Sequence, residues 1–202
     1  MAKYWWSSSI DKRSLPSISW QKLSTPKCKG GMEFQDLHIF NLSLPGKQGW
    51  RLVTNPNTLC ARNLKGKYFP NSDFMQATAP KNSSDTWRAI ISGQEALLVG
   101  LIKRVGDGSS IAVWEDRWIP STTSMSTLFR PTNTNISRVD ELIDTATWTW
   151  RKQLVWDTFI PPDTEAILNI PLRSGGGEDF YAWAHEPSGS YTVKSAYRVV
   201  IA

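Results

Sequence analysis

The residues best suited to metal-assisted chemistry are two pairs of adjacent acidic side chains, Glu115-Asp116 and Glu178-Asp179. Carboxylates that hold two magnesium ions can stabilise phosphoryl transfer, but such a site needs several acids converging on one point. Adjacent strand residues point to opposite faces, and neither pair has a third acid at a suitable spacing. Three further acids favour the N-terminus of one short helix: Asp140, Glu141 and Asp144. We therefore predict surface acids and no catalytic residues.

Histidine and cysteine are the other candidates for nucleophilic or metal chemistry. His38 and His185 have no serine or cysteine partner in a known local signature. Cys28 and Cys60 do not form a C-x-x-C pair, and a structural zinc site needs four closely arranged ligands. The sequence therefore predicts no metal site and no cofactor.

Positive charge is concentrated in the first third of the chain. Residues 1–70 contain 11 Lys/Arg and 3 Asp/Glu, a net charge of +8, whereas residues 71–202 contain 12 and 15, a net charge of −3. This asymmetry indicates that the first third faces an anion, most simply a nucleic-acid backbone. A solvated basic face without a partner would have the same composition.

The bulk composition is that of a folded protein with a core. At 202 residues the chain fits one domain or two small ones, with a hydrophobic content of 40%. Its eleven tryptophans are expected mainly in the core, with base stacking by a few as the alternative. We find no apolar run of 18 residues and no long apolar N-terminal segment. We expect an intracellular protein of the nucleus or cytoplasm, without a signal peptide, transmembrane segment or membrane contact.

Helices dominate the part of the chain before residue 100. Asp36 is a suitable N-cap for a helix that Pro45-Gly46 should end or kink. A second helix would restart at Lys47. A third would begin at Asn55-Pro56, run to about Lys67 and turn Leu59 and Leu64 inward.

The clearest strand signal surrounds Gly106-Asp107-Gly108. Alternating apolar residues flank this turn, and its glycines supply the positive φ angles of a tight connection, so we predict a β-hairpin over about 101–116. The predicted fold class is α+β. It has an N-terminal helical part, then the hairpin, then short mixed helices and strands.

A series of short motifs runs along the chain: WQKL from Trp20, PK from Pro26, GGMEFQDL from Gly30, FNL from Phe40, KQGWRL from Lys47, KYFP from Lys67, TWR from Thr86, GDG from Gly106, WIP from Trp118 and VKSAY from Val193. Taken in order, these motifs resemble a plant protein family, the LINE-type (non-LTR) retrotransposon reverse transcriptases, in the region downstream of the polymerase palm. Members are often described as ribonuclease H or reverse transcriptase zinc-binding proteins. The resemblance covers nearly the whole chain.

The resemblance implies a thumb and connection region without catalysis of its own. Members of the family are RNA-directed DNA polymerases. In them the palm aspartates lie upstream of the region that this chain resembles, and the Cys/His zinc-binding segment and any RNase H domain lie downstream of it. We therefore expect a basic helical thumb-like region at 1–70, a helix plus the β-hairpin at 71–120, and a connection region at 121–202 ending at the start of a truncated zinc-binding domain.

The thumb-like region would bind RNA or an RNA/DNA duplex through backbone contacts, which give affinity without sequence choice. The residues predicted to make these contacts are Lys22, Lys27, Lys29, Lys47, Arg51, Arg62, Lys65 and Lys67.

Departures from the family pattern keep two alternatives open. Glu33 replaces a usual glycine, Gln35 a common arginine and Cys60 a frequent tryptophan, while Pro45-Gly46 interrupts a helix. Such changes suit a non-functional retroelement remnant. A domesticated protein-interaction module that uses exposed tryptophans is the other alternative. The sequence leaves the oligomeric state open.

Overall fold

The computed structural model of the chain describes residues 18–25, 27–32, 34–120, 124–132 and 134–201. The helices are α1 (Trp20–Ser24), α2 (Leu37–Thr54), α3 (Leu59–Tyr68), α4 (Asp85–Ser92), α5 (Gln94–Leu98), α6 (Lys152–Thr158), α7 (Pro161–Leu168) and α8 (Val193–Ile201). The strands are β1 (Leu101–Arg104), β2 (Ile143–Asp144), β3 (Thr149–Trp150) and β4 (Phe180–Trp183). Short 3₁₀ turns lie at Lys27–Lys29, Phe74–Gln76 and Val139–Leu142. The α+β fold class is thus confirmed.

Helix α2 begins where the sequence predicts, because Asp36 caps it. The Asp36 carboxylate accepts hydrogen bonds from the backbone N–H groups of His38 and Ile39, at 2.8 and 3.3 Å. The helix does not end at Pro45 and continues as one element. The prediction of a separate helix from Lys47 is therefore wrong.

Packing against other elements holds α2 together across its proline. Pro45 lacks the N–H donor that would close one turn of the helix. The next residue, Gly46, lies so close to Tyr191 that a Cβ atom there would be 2.4 Å from the tyrosine hydroxyl oxygen. That hydroxyl donates a 2.8 Å hydrogen bond to the carbonyl oxygen of Ser43. Since α2 also packs on α4, α5 and α8, tertiary contacts offset the local cost of the proline.

Helix α3 starts later than the sequence predicts. The Thr58 hydroxyl caps it by accepting a 3.3 Å hydrogen bond from the backbone N–H of Ala61, so Pro56 lies outside the helix. Ala61 is buried and Leu64 is packed against the core. Leu59 is 75% exposed, and the prediction that it faces inward is wrong. The helix therefore buries a narrower face than its apolar residues suggest.

Strand β1 is present, but its partner is distant in sequence. It pairs antiparallel with β4, with Leu101 opposite Trp183. After the glycine turn, Ala112 forms an isolated bridge with Arg138 instead of pairing back on β1. The prediction of a β-hairpin over about 101–116 is therefore wrong.

No hairpin forms because the loop at 106–110 is hydrogen-bonded to the residue that precedes β4. Asp179, directly before β4, accepts hydrogen bonds from the backbone N–H groups of Gly106, Gly108 and Ser110, at 2.7 to 2.9 Å. It also accepts one from the Ser110 hydroxyl at 2.9 Å. A Cβ atom on Gly106 would lie 2.3 Å from the carbonyl oxygen of Gly177, so only glycine allows this approach. We call these contacts the Asp179 clamp.

Among the described residues, two large groups of buried side chains form most of the core, and a small third group contains Ile102, Met125 and Ala182. The first joins α2, α4, α5, β4 and α8, and includes Trp50, Trp87, Leu97, Trp183 and Tyr191. The second surrounds the 3₁₀ turn at 139–142, α6 and α7, and includes Ile111, Val113, Trp118, Trp150 and Ile167. The core role predicted for most tryptophans is confirmed for five of them, whereas Trp156 is 49% exposed. The five are Trp50, Trp87, Trp118, Trp150 and Trp183. The division into regions 1–70, 71–120 and 121–202 stays a prediction, and residues 1–17 lie outside the described residues.

Glu141 caps the 3₁₀ turn at 139–142 and makes its stability depend on pH. Its carboxylate accepts hydrogen bonds from the backbone N–H groups of Ser137 and Arg138, both at 2.9 Å, and from the Ser137 hydroxyl at 3.0 Å. The backbone hydrogen bond from Ser137, followed by that from Arg138, lowers the pKa of Glu141 from its usual value. The stabilisation is therefore complete above the unfolded-state pKa and is lost as pH falls through the lower folded-state pKa.

We expect Glu141→Gln to lower the free energy of unfolding by roughly 0.5–1 kcal/mol at neutral pH, because the amide is a weaker acceptor. The difference from wild type should begin to shrink as pH falls below the usual glutamate pKa of about 4.3 and should be lost as pH falls through the lower folded-state pKa. Urea unfolding over a pH series checks this, with the exposed Glu165→Gln as control. A difference that persists unchanged at acid pH would contradict the capping role.

Within the described ranges, no helix combines the length and the apolar character needed to cross a bilayer.

Candidate nucleic-acid interface

Helices α2 and α3 and the loop after them carry positive charge and no negative charge. Between Leu37 and Ser72 the sequence contains five Lys/Arg residues and no Asp or Glu. Because α3 turns Ala61 and Leu64 toward the core, its cationic side chains lie on the outside. The positive charge of this stretch is therefore not neutralised by acids of its own.

Most of the predicted binding residues are exposed. Seven of the eight are, namely Lys22 on α1, Lys27 and Lys29 in the following 3₁₀ turn, Arg51 on α2, and Arg62, Lys65 and Lys67 on α3. Among the described residues, salt bridges join Arg88 to Asp85, Lys103 to Asp116 and Arg130 to Glu115, and none involves the predicted binding residues. The seven cations are therefore accessible to a phosphate.

Lys47 differs from the other seven because its ammonium group is engaged inside the fold. Its Nζ donates a hydrogen bond to the carbonyl oxygen of Tyr191 at 2.6 Å, in a partly buried position. This bond ties α2 to the segment that leads into α8. Lys47 therefore has a structural role, and its contact with nucleic acid stays a prediction.

The cations of α3 do not all lie on one face of the helix. Arg62 and Lys65 are three residues apart, a spacing that makes them neighbours on a helix surface. Lys67 lies further round, with its ammonium nitrogen 5.1 Å from the centre of the Tyr68 ring. Arg51, on α2, donates a 3.3 Å hydrogen bond to the side-chain oxygen of Gln48. Arg62 and Lys65 are thus neighbouring cations on the outer surface of α3.

Near this surface, the aromatic rings of Tyr68 and Trp87 stack on each other within the protein. The Tyr68 ring stacks on Trp87 with centroids 4.5 Å apart and an interplanar angle of 3°. Trp87 is 1% exposed, so it cannot stack on a base. The Tyr68 hydroxyl lies 3.2 Å from the Ser84 hydroxyl, and this hydrogen bond is the main cause that lowers the pKa of Tyr68.

The two acids of the Glu115-Asp116 pair are engaged with other parts of the fold. Asp116 accepts hydrogen bonds from the Lys103 ammonium at 2.7 Å and from the backbone N–H of Ala112 at 2.8 Å. Glu115 forms a salt bridge with Arg130 at 3.0 Å. Throughout the part of the chain that the structure describes, no three His, Cys, Asp or Glu side chains are grouped so that they could hold a metal ion.

A cavity of about 310 Å³ between α2, α3 and the 3₁₀ turn at 74–76 has no counterpart in the sequence prediction. Lys65, Asp73 and Tyr181 line it together with apolar residues of α2 and α3. Burial is the main cause that raises the pKa of Tyr181, followed by the charges of Asp116 and Asp73, so its hydroxyl stays protonated at neutral pH. The residues that line the cavity come from distant segments of the chain, so no local sequence pattern predicts the cavity.

Comparison with known proteins gives two plant relatives. No family model matches the chain, and no solved structure matches it. The Arabidopsis thaliana "Putative ribonuclease H protein At1g65750" is 29% identical over 209 residues, which cover 96% of this chain and 32% of that protein. The chain therefore spans about a third of the length of this relative.

The second relative is shorter and matches more strongly. "Uncharacterized mitochondrial protein AtMg00310", also from Arabidopsis thaliana, is 42% identical over 129 residues. The matched stretch covers 63% of this chain and 84% of that protein. With this identity over most of the relative's length, the chain belongs to the same plant protein family as AtMg00310.

Proposed function

We propose that this protein is a non-catalytic, retroelement-derived protein that binds the sugar–phosphate backbone of RNA or an RNA/DNA duplex without reading its sequence. The observation that carries the proposal is the stretch 37–72, where cations occur without any acid and all but Lys47 are exposed. The ribonuclease H in the name of one relative, and the resemblance of the motifs to the region downstream of a reverse transcriptase palm, support the retroelement origin.

The mechanism of binding would be electrostatic. Lys and Arg side chains that contact phosphates release condensed counterions, so affinity falls steeply as salt is added. Arg62 and Lys65 on α3 would contact neighbouring phosphates, with Arg51, Lys67 and the cations before α2 extending the contact. Such contacts carry no base information, so different sequences should bind alike. We expect micromolar or weaker affinity.

Neutralising the outer face of α3 tests the proposal. We expect Arg62→Gln/Lys65→Gln/Lys67→Gln to weaken binding of a fluorescein-labelled RNA/DNA hybrid by at least about tenfold at low salt. The slope of log K against log salt should fall by roughly 2–3, since about one counterion is released per phosphate contact. Fluorescence anisotropy between 50 and 200 mM salt, on the full chain, measures both quantities.

The matched control removes the same charge from residues outside the predicted binding set. Arg151→Gln/Lys152→Gln/Arg173→Gln changes three exposed cations near the second core. We expect this variant to bind within about twofold of wild type. Equal weakening by the two triple variants would mean that only net charge matters. That result, or no binding by wild type at low salt, would contradict the proposal.

A further inference from the structure

The cavity between α2 and α3 has a charged rim and an apolar interior. Leu52 and Val53 of α2 and Phe69 and Phe74 line the interior. Lys65, one of the exposed cations of α3, also lines it. The volume of about 310 Å³ is at the small end of ligand pockets, the size range of a base or nucleoside rather than a peptide. An apolar chamber beside a lysine, which under the proposed function contacts a phosphate, suits a nucleotide.

A second cleft of about 240 Å³, lined by more charged residues, adjoins it and shares Asp73, Met75 and Tyr181. Its remaining charged lining residues are Lys103, Glu115, Asp116 and Arg117. Lys103 is paired with Asp116, and Arg117 donates hydrogen bonds to the carbonyl oxygens of Leu98 and Ser124. Since Glu115 is likewise paired with Arg130, Asp73 is the lining carboxylate for which the described residues show no ion pair, and it can attract N–H donors.

We infer that the cavity takes one unpaired nucleobase of a bound RNA strand, with its phosphate at Lys65 and its donor edge at Asp73. The inference rests on the proposed function, because the strand is first held by its backbone. It adds a preference among bases, which backbone contacts alone do not provide.

Guanine is the base that fits this lining best. Its Watson–Crick edge places two N–H donors side by side, which one carboxylate can accept together, and a carbonyl oxygen beside them. Asp73 is exposed and makes no helix-capping hydrogen bond with its side chain, so its oxygens can serve as the acceptor. The protonated hydroxyl of Tyr181 is a donor for the carbonyl. Uracil offers one N–H between two carbonyl oxygens, which the carboxylate would repel.

Two single-stranded RNAs of equal length test the inference on the full chain. Fluorescein-labelled UUUGUUUU should bind roughly tenfold more tightly than the eight-uridine strand, the discrimination typical of a two-donor contact. Asp73→Asn should reduce this ratio below about twofold, because the amide no longer accepts both donors. The exposed Glu165→Gln on α7 removes the same charge elsewhere and should keep the ratio.

A second variant fills the cavity. Val53→Phe should also abolish the guanine preference while leaving RNA/DNA hybrid binding within about twofold, since phosphate contacts remain. Circular dichroism checks that both variants fold. Equal wild-type binding of the two strands, or a preference that survives Asp73→Asn, overturns this inference and leaves the proposed function standing. Failure of both strands and of the hybrid to bind overturns both.

Discussion

Asp179→Ala is expected to lower the free energy of unfolding by about 3 kcal/mol, one of the two largest effects that the structure predicts. The side chain accepts four hydrogen bonds from the loop at Gly106–Ser110, at 2.7 to 2.9 Å. Gly106 and Gly108 are buried, so their N–H groups would lose this acceptor where water reaches them poorly. An ionised acceptor makes each bond stronger than a neutral one.

The neighbouring acid supplies the control for the Asp179 clamp. Glu178 is exposed, and Glu178→Ala should change the free energy of unfolding by less than about 0.5 kcal/mol. Asp179→Asn should fall between the two, because its NH₂ group replaces one acceptor and faces an N–H donor. Urea unfolding followed by tryptophan fluorescence measures all three variants. Equal effects of Asp179→Ala and Glu178→Ala would show that the clamp does not stabilise the fold.

The clamp also explains which part of the fold could be predicted from sequence. The alternation around residues 101–104 correctly indicates β1, because side-chain periodicity is a local property. The partner strand depends on Asp179, which follows the glycine loop by about seventy residues and has no distinguishing pattern. A Gly-Asp-Gly turn is compatible with a hairpin, and only the distant carboxylate decides against it.

Helix ends can likewise be predicted where they depend on neighbouring residues and not where they depend on distant ones. Asp36 is a local signal, and the start of α2 at Leu37 agrees with it. The continuation of α2 through Pro45 depends on Tyr191, Gly93 and other distant residues, so a local rule for proline gives the wrong end.

The candidate interface likewise has one part that the sequence predicts and one part that it does not. Helical periodicity and charge are enough to expect Arg62, Lys65 and Lys67 on the outside of α3, where they lie. The engagement of Lys47 with the carbonyl of Tyr191 crosses more than a hundred residues and could not be predicted. The cavity that Asp73 and Tyr181 line has the same origin, since its walls come from three separate segments.

Gly93→Ala is expected to lower the free energy of unfolding by roughly 3 kcal/mol and the melting temperature by about 6–12 °C. Gly93 lies between α4 and α5, directly against α2. A Cβ atom there would be 2.4 Å from the backbone nitrogen of Gly46 and 2.6 Å from the carbonyl carbon of Pro45. Both clashing atoms belong to the backbone, so no side-chain rotation relieves the contact. The α4–α5 junction must move away from α2, which opens the packing around Trp50 and Leu97 in the first core.

Gly66→Ala is the matched control, because it adds the same methyl group within α3 but into open space. A Cβ atom at Gly66 meets no atom within 4 Å, so alanine should stabilise the helix by about 0.5–1 kcal/mol through its better helix propensity. The two glycine substitutions should therefore shift the melting temperature in opposite directions, as differential scanning calorimetry would show. A Gly93→Ala protein that melts at or above the wild-type temperature would contradict the close approach of α2 to the α4–α5 junction. The opposite signs separate packing from propensity, since the chemical change is identical at both positions.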